Sequence, residues 1–217
     1  MVMVTLLIAT SNTGKVAEIS HELATAGLGD LAVKCLRDFP AMAPILEDQP
    51  GFVGNAMKKA FGYASAAGLP AIADDSGLCV DALNGAPGVL SARYAGEPCD
   101  DAANNRRLVR ELQALPHAGR RAQFVCAAAL ALPRANLAVM VDSVEGIIID
   151  EPRGSNGFGY DPHFYIPELG CTTAELTLAE KAVISHRGKA VRKLMAWLKE
   201  NRVAFESLAN GKSVNMS

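Results

Sequence analysis

The chain has no basic run. Nowhere do more than two Lys or Arg residues stand together, and the formal net charge over 217 residues is −2. A duplex-binding surface therefore has no electrostatic footprint, and no nucleic-acid partner is expected. Any cationic site must be assembled in space from scattered residues. The five cysteines, Cys35, Cys79, Cys99, Cys126 and Cys171, form an odd set without a CxxC pair. That argues against a disulfide framework and against structural zinc. The default is a set of reduced, buried thiols in a cytoplasmic setting. Met1 to Ala9 is apolar but lacks a positively charged leading region and a small-residue cleavage site, and it is far too short to span a bilayer. No membrane partner is expected. Absent as well are the Walker GxxxxGK[ST] spacing, a GxGxxG behind the first strand, GxSxG, HExxH and any Cys/His pair of recognised spacing. Dehydrogenase chemistry and covalent catalysis are thereby disfavoured.

What is present suits a well-packed globular protein: half of the residues are hydrophobic and a fifth are charged. Val2 to Ala9 reads as a strand buried on both faces. Val16, Ile19, Leu23 and Ala26 then repeat at helical spacing until Gly27. A strand is predicted over Ala32 to Leu36, a loop over Phe39 to Gly51, and a helix over Phe52 to Ala67. Ala71 to Ala73 begins a short strand that runs into Asp74-Asp75-Ser76-Gly77 at its expected end, and Ser91 to Gly96 reads as loop. Asp100 is placed to cap a helix reaching Leu115, with Leu108, Leu112 and Leu115 facing inward. Gln123 to Leu132 and Leu137 to Ile149 read as a hairpin. Thr177 to Glu180 fits a capping box, and Ser185 caps a last helix with Val191, Leu194, Met195 and Leu198 as its core stripe. The tail after Gly211 is polar. Helices alternating with strands, followed by a hairpin, predict an α/β fold with a mixed sheet flanked by helices, one folding unit in two lobes.

Four groups of residues can carry chemistry. Thr10 to Lys15 joins a strand to a helix, where backbone N–H groups and the helix dipole favour phosphate and Lys15 adds a charge. The plainer reading is a capped helix with a surface lysine. Of Asp74 and Asp75, strand alternation sends only one into a given cleft, where it can bind a hard cation or accept a proton from water. An Asp-rich turn is the alternative. Gly157 to Pro162 offers two glycines for close backbone approach, Phe158 for stacking on a base, and Asp161 to meet ring nitrogens or orient a basic side chain. Lys181, His186 and Arg187 bring two fixed cations and a titratable ring within seven residues. Basic residues at a helix start run against the dipole, so a ligand or carboxylate nearby would explain them. Together the inventory fits metal-assisted attack by water with cationic phosphate clamps.

In this order, Ala9-Thr10-Ser11-Asn12-Thr13-Gly14-Lys15, Ala73-Asp74-Asp75-Ser76-Gly77-Leu78, Gly85-Ala86-Pro87-Gly88 with Ser91-Ala92-Arg93-Tyr94-Ala95-Gly96, Gly157-Phe158-Gly159-Tyr160-Asp161-Pro162, and Glu180-Lys181 leading to Ser185-His186-Arg187-Gly188-Lys189-Ala190 resemble the inosine triphosphate pyrophosphatase family. That family acts on noncanonical purine nucleoside triphosphates. The resemblance implies one pyrophosphatase domain over residues 1–217, with an elongated mixed sheet, an active-site cleft between two lobes, a homodimer and Mg²⁺. It also implies attack of water at the α-phosphorus of ITP, dITP or XTP, releasing pyrophosphate.

By the family pattern Asp75 is the proton acceptor and, with Glu47, a metal carboxylate. Thr10, Ser11, Asn12, Thr13, Gly14 and Lys15 hold the triphosphate, and Ser76 lies near the substrate. Phe158, Gly159, Tyr160, Asp161, Lys181, His186 and Arg187 form the base pocket and its edge. Hypoxanthine and xanthine carry a 6-oxo acceptor where adenine carries an amino donor, so a donor from Arg187 or His186 would reject adenine. The chain departs from the pattern at Ser11, often Gly, and at Gly54, often Glu. Two rival functions are a Maf-type pyrimidine triphosphate pyrophosphatase, against which the FGYD and SHR elements speak, and a noncatalytic nucleotide sensor.

Overall fold

The computed structural model describes residues 4–115 and 117–210. Seven strands form one mixed sheet in the order β2-β1-β3-β4-β5-β6-β7. The strands are β1 (Thr5–Ile8), β2 (Ala32–Cys35), β3 (Ala71–Val80), β4 (Arg121–Leu132), β5 (Ala135–Ile148), β6 (Phe164–Ile166) and β7 (Cys171–Thr172). The helices are α1 (Thr13–Thr25), α2 (Phe52–Ala67), α3 (Asp101–Gln113), α4 (Leu178–Ile184), α5 (His186–Glu200) and α6 (Arg202–Ala209). β1 pairs with β2 and β3 in parallel, whereas β6 pairs antiparallel with β5 and β7. Only Pro133 and Arg134 separate β4 from its sheet neighbour β5, a link that antiparallel strands alone can use. The predicted α/β class with a mixed sheet and flanking helices is the fold found.

Two compact units divide the chain. One comprises 1–75, 127–141 and 190–217, the other 76–126 and 142–189. The boundary falls inside β3, so Asp75 closes one unit and Ser76 opens the other. Each unit has its own core. The first is rich in alanine: Ala56, Ala60 and Ala64 of α2 meet Ala71, Ala73, Ala127, Ala129 and Ala131 of the strands. Small side chains let helix and sheet approach closely, so added volume there forces strain. The second core is built on larger groups, among them Tyr94, Leu108, Leu112, Phe124, Tyr160 and Phe164.

Most boundaries match the sequence reading, and the departures have physical causes. β3 runs for ten residues, so Asp74 and Asp75 lie within a strand and not in a turn after it. Buried carboxylates are tolerable there because cations from α1 and α2 meet them. β1 begins at Thr5; Val2 and Met3, like the tail after Gly211, lie outside the described residues. In α1 the buried face is Glu18, Ile19, Glu22 and Leu23, leaving Val16 and Ala26 half-buried. Arg192 of α5 explains the shift, pairing with Glu22 at 2.8 Å. α3 ends at Gln113, so Leu115 lies beyond it and is exposed, not inward. Gly88–Arg93 is a 3₁₀ turn that takes in part of the expected loop. Of the cysteines only Cys126 is buried, and Cys99 is exposed. The capping box at Thr177, the Ser185 cap and the stripe Val191, Leu194, Met195 and Leu198 are all present, the four stripe residues fully buried. No helix among the described residues is long and apolar enough to cross a membrane.

Candidate functional site

In the first unit, the turn after β1 prepares a helix N-terminus. Thr10 Oγ1 accepts from Asn12 N at 3.2 Å, and Asn12 Oδ1 accepts from Lys15 N at 3.1 Å. Asn12 is thus the N-cap of α1, and the opening N–H groups of Thr13 and Gly14 belong to the set that no intrahelical carbonyl can satisfy. Ser11, Asn12 and Thr13 are exposed; Thr10, Gly14 and Lys15 are half-buried. Lys15 reaches Asp74 Oδ2 at 2.9 Å. A cation and a helix N-terminus therefore meet at the end of β1, the combination that favours a phosphate.

Asp74 and Asp75 are both nearly fully buried, and strand alternation gives them different partners. Asp74 takes Lys15. Asp75 Oδ2 accepts from Asn55 Nδ2 at 3.0 Å, and its Oδ1 lies 3.4 Å from Lys59 Nζ. The same ammonium donates to Glu47 Oε1 at 2.9 Å. Glu47 and Asp75 thus converge on one cation. Burial pushes the Asp75 carboxyl above the ordinary carboxylate range; Lys59 opposes the shift, Glu47 adds to it, and Asn55 and Lys15 oppose it. For Lys59 burial works to depress the pKa, but Asp74, Asp75 and Glu47 together outweigh it and leave it raised. The neighbouring acid Asp48 is exposed and pairs with Lys58 at 2.7 Å. The Glu47-Asp48 pair is therefore split between the buried cluster and solvent.

Asn55 and Lys59 were not singled out from the sequence, although a signal was there. They stand four apart on α2, each next to an inward alanine, Ala56 and Ala60. Polar residues on a buried helical face need partners. At Gly54, a Cβ would come within 2.8 Å of Gln49 Cβ. The backbone of α2 approaches the preceding loop too closely there for a larger residue without movement.

In the second unit, Lys181 and Asp161 form a buried ion pair at 2.6 Å. Asp161 also accepts from Phe158 N and from Thr173 Oγ1, each at 2.8 Å. Of the two roles open to Asp161, orienting a basic side chain is the one observed. Gly157 has φ +76°, and a Cβ there would collide with the Asp161 carboxylate. Its missing side chain makes room for the protein's own carboxylate. The Phe158 ring is half-buried, with Lys181 Nζ 5.0 Å and the Arg187 guanidinium carbon 5.4 Å from its centroid. Arg187 donates to Ser76 Oγ at 2.7 Å.

Tyr160 and His186 are placed differently from the groups around Phe158. The Tyr160 hydroxyl donates to Ser91 O at 2.8 Å and its ring lies in the core. The buried His186 ring stacks on Phe124, centroids 4.8 Å apart and planes 12° from parallel. Phe158, Lys181, Arg187 and Ser76 thus form one cationic and aromatic cluster, in which Asp161 holds both Lys181 and the Phe158 backbone.

The Ham1 family model matches residues 6–197. The dITP/XTP pyrophosphatase of Desulforamulus reducens is 48% identical over 190 residues, covering 88% of this chain and 93% of that protein. Among solved structures, a HAM1 protein from Coxiella burnetii aligns with a TM-score of 0.79 at 42% identity, covering 91% of this chain and all of that one. The Ham1 protein of Staphylococcus aureus aligns with the same TM-score at 39% identity, over 91% of this chain and 99% of that one.

Proposed function

The chain belongs to the Ham1 family, and from that premise we propose that it hydrolyses noncanonical purine nucleoside triphosphates, dITP, ITP and XTP, to the monophosphate and pyrophosphate. One observation carries the chemistry: the buried Asp75 carboxylate is gripped by Asn55 and Lys59, with Glu47 on the same ammonium. Burial and the Glu47 charge raise its proton affinity, which suits a group that must take a proton from water.

The residues present fit a hard divalent cation. Two carboxylates already converge on one positive charge, and Mg²⁺ is usually held by one or two carboxylates with phosphates and water completing its shell. Among the described residues no group of three or more His, Cys, Asp or Glu forms an all-protein metal cage. Glu47 and Asp75 are the residues that would hold Mg²⁺. When bound, the ion offsets phosphate charge and acidifies water.

The other roles follow from charge and shape. Asn55 and Lys59 fix the Asp75 carboxylate, and Asp75 accepts the proton of the attacking water. The α1 N-terminus from Thr10 to Gly14 takes phosphate oxygens, with Lys15 supplying a cation on the leaving pyrophosphate. Phe158 stacks on the purine. Arg187, oriented by Ser76, donates to the 6-oxo group and so rejects the adenine amino group. The same reading carries a homodimer and a cytoplasmic setting; sedimentation of the purified protein as a monomer would remove the first.

The test is pyrophosphate release from ITP, dITP, XTP, ATP, GTP and UTP, with Mg²⁺ and with EDTA. Metal-dependent turnover of the first three, far above ATP and GTP, is expected. Hydrolysis of ITP in ¹⁸O-water should label the monophosphate and leave the pyrophosphate unlabelled. Preference for UTP would move the chain to pyrimidine substrates, and binding without turnover would leave a sensor.

A further inference from the structure

The segment that carries Phe158 is exposed from Arg153 to Gly157, yet it must hold an aromatic ring still enough to select a base. One residue of it is gripped from both sides. Gly159 N donates to Asp101 Oδ2 at 2.8 Å, and Gly159 O accepts from Asn105 Nδ2 at 2.9 Å. Asp101 and Asn105 stand four apart, one turn of α3, so they present an acceptor and a donor on the same helical face. Gly159 sits at φ +63°, a conformation that glycine adopts without cost and that turns its peptide toward α3.

Capping of α3 needs neither side chain. Asp100 already caps α3, accepting from Ala102 N and Ala103 N, so Asp101 is not needed for that purpose. Asparagine is a mediocre helix former, yet two stand side by side as the fourth and fifth residues of α3. Asn104 ties down the preceding turn, with its Oδ1 taking Ala95 N and its Nδ2 donating to Ala92 O. Asn105 does the same for the segment after Phe158. α3 therefore braces two loops at once, and the Tyr160 hydroxyl joins them through Ser91 O.

We infer that Asp101 and Asn105 are positioning residues for base recognition: they clamp Gly159 and thereby fix the Phe158 ring. This rests on the reading of Phe158 as the base-stacking group. It predicts an ordered set of variants. Asp101→Ala and Asn105→Ala each raise KM for ITP by roughly 2- to 10-fold, the worth of one hydrogen bond, with kcat within about twofold of the original. Asp101→Asn keeps an acceptor for Gly159 N and stays near the original value. Asn105→Asp loses the donor and sets a carboxylate against Gly159 O, so it behaves no better than Asn105→Ala. Asp and Asn have similar helix propensities, so a merely structural role would not sort the variants this way.

In a Phe158→Ala background the clamp variants should add nothing, since they act only through that ring. Further KM losses there, or unchanged KM in the single variants when Phe158→Ala itself raises it, overturn the inference. If Phe158→Ala leaves KM untouched, the base-stacking reading has failed, and chymotryptic cleavage after Phe158 still reads the clamp. Faster cleavage in the alanine variants sustains it, and cleavage at the original rate overturns it.

Discussion

Lys59 Nζ and Asp75 Oδ1 lie 3.4 Å apart, both side chains nearly out of reach of water. Burial opposes the charge of each, and each offsets that penalty for the other. The same ammonium serves Glu47, so one lysine balances the two carboxylates that we assign to the metal. Before a divalent ion binds, Lys59 is the cation that the buried Asp75 shares with the half-buried Glu47.

Lys59→Met should therefore destabilise the metal-free protein, by about 3–5 kcal/mol at most, because the buried Asp75 carboxylate loses its cation while the half-buried Glu47 can turn to water. Added Mg²⁺ should recover more stability in the variant than in the original protein. Thermal unfolding with EDTA and with graded Mg²⁺ reads both effects. Unchanged stability in EDTA would show that the cluster does not depend on Lys59.

Arg187 is the donor we assign to the 6-oxo oxygen, held by Ser76 and lying over Phe158. Arg187→Met should lower kcat/KM for ITP while leaving that for ATP no lower, since the donor that opposes the adenine amino group is gone. Their ratio then narrows by roughly 10- to 100-fold, the worth of one charged hydrogen bond. Competition assays with the two nucleotides measure the ratio directly. An unchanged ratio would place purine selection elsewhere.

The elements most legible in the sequence were those whose signals are local. α2 from Phe52 to Ala67, the capping box at Thr177 and the stripe on α5 depend on spacing and caps, and they stand where expected. At Asp74-Asp75-Ser76-Gly77 a strand end and an Asp-rich turn both stayed open, because the partners that let carboxylates sit inside a strand, Lys15 and Lys59, lie 59 and 16 residues away from their acids. Residue type alone could not supply them. The candidate site was legible where a compact run of glycine, aromatic and acidic residues marks it, as in Gly157 to Asp161. It was invisible where ordinary residues on a helical face do the holding, as with Asn55, Lys59, Asp101 and Asn105.

Glu22 offers a test away from the site. Burial raises its pKa above the ordinary glutamate value, only partly opposed by Arg192 and His21, with Glu18 adding to the rise. A raised carboxyl favours the protonated form in the folded state. Stability is thus lost as pH climbs from the unfolded value of about 4.5 through the higher folded one. Glu22→Gln removes that titration. Between pH 4 and pH 7 the melting temperature of the variant should rise relative to the original. A constant gap would mean that Arg192 cancels the effect of burial, and a gap that moves the other way that Arg192 outweighs it.

The central claim is that Asp75 takes the proton of the attacking water. The measurement that bears on it most directly is single-turnover hydrolysis of ITP at saturating Mg²⁺, comparing the original protein with Asp75→Asn and checking by thermal unfolding that both are folded. The account predicts a rate loss of about 10²- to 10⁴-fold, the usual worth of a general base, with ITP still bound. A folded Asp75→Asn protein that cleaves ITP within a few-fold of the original rate would contradict it.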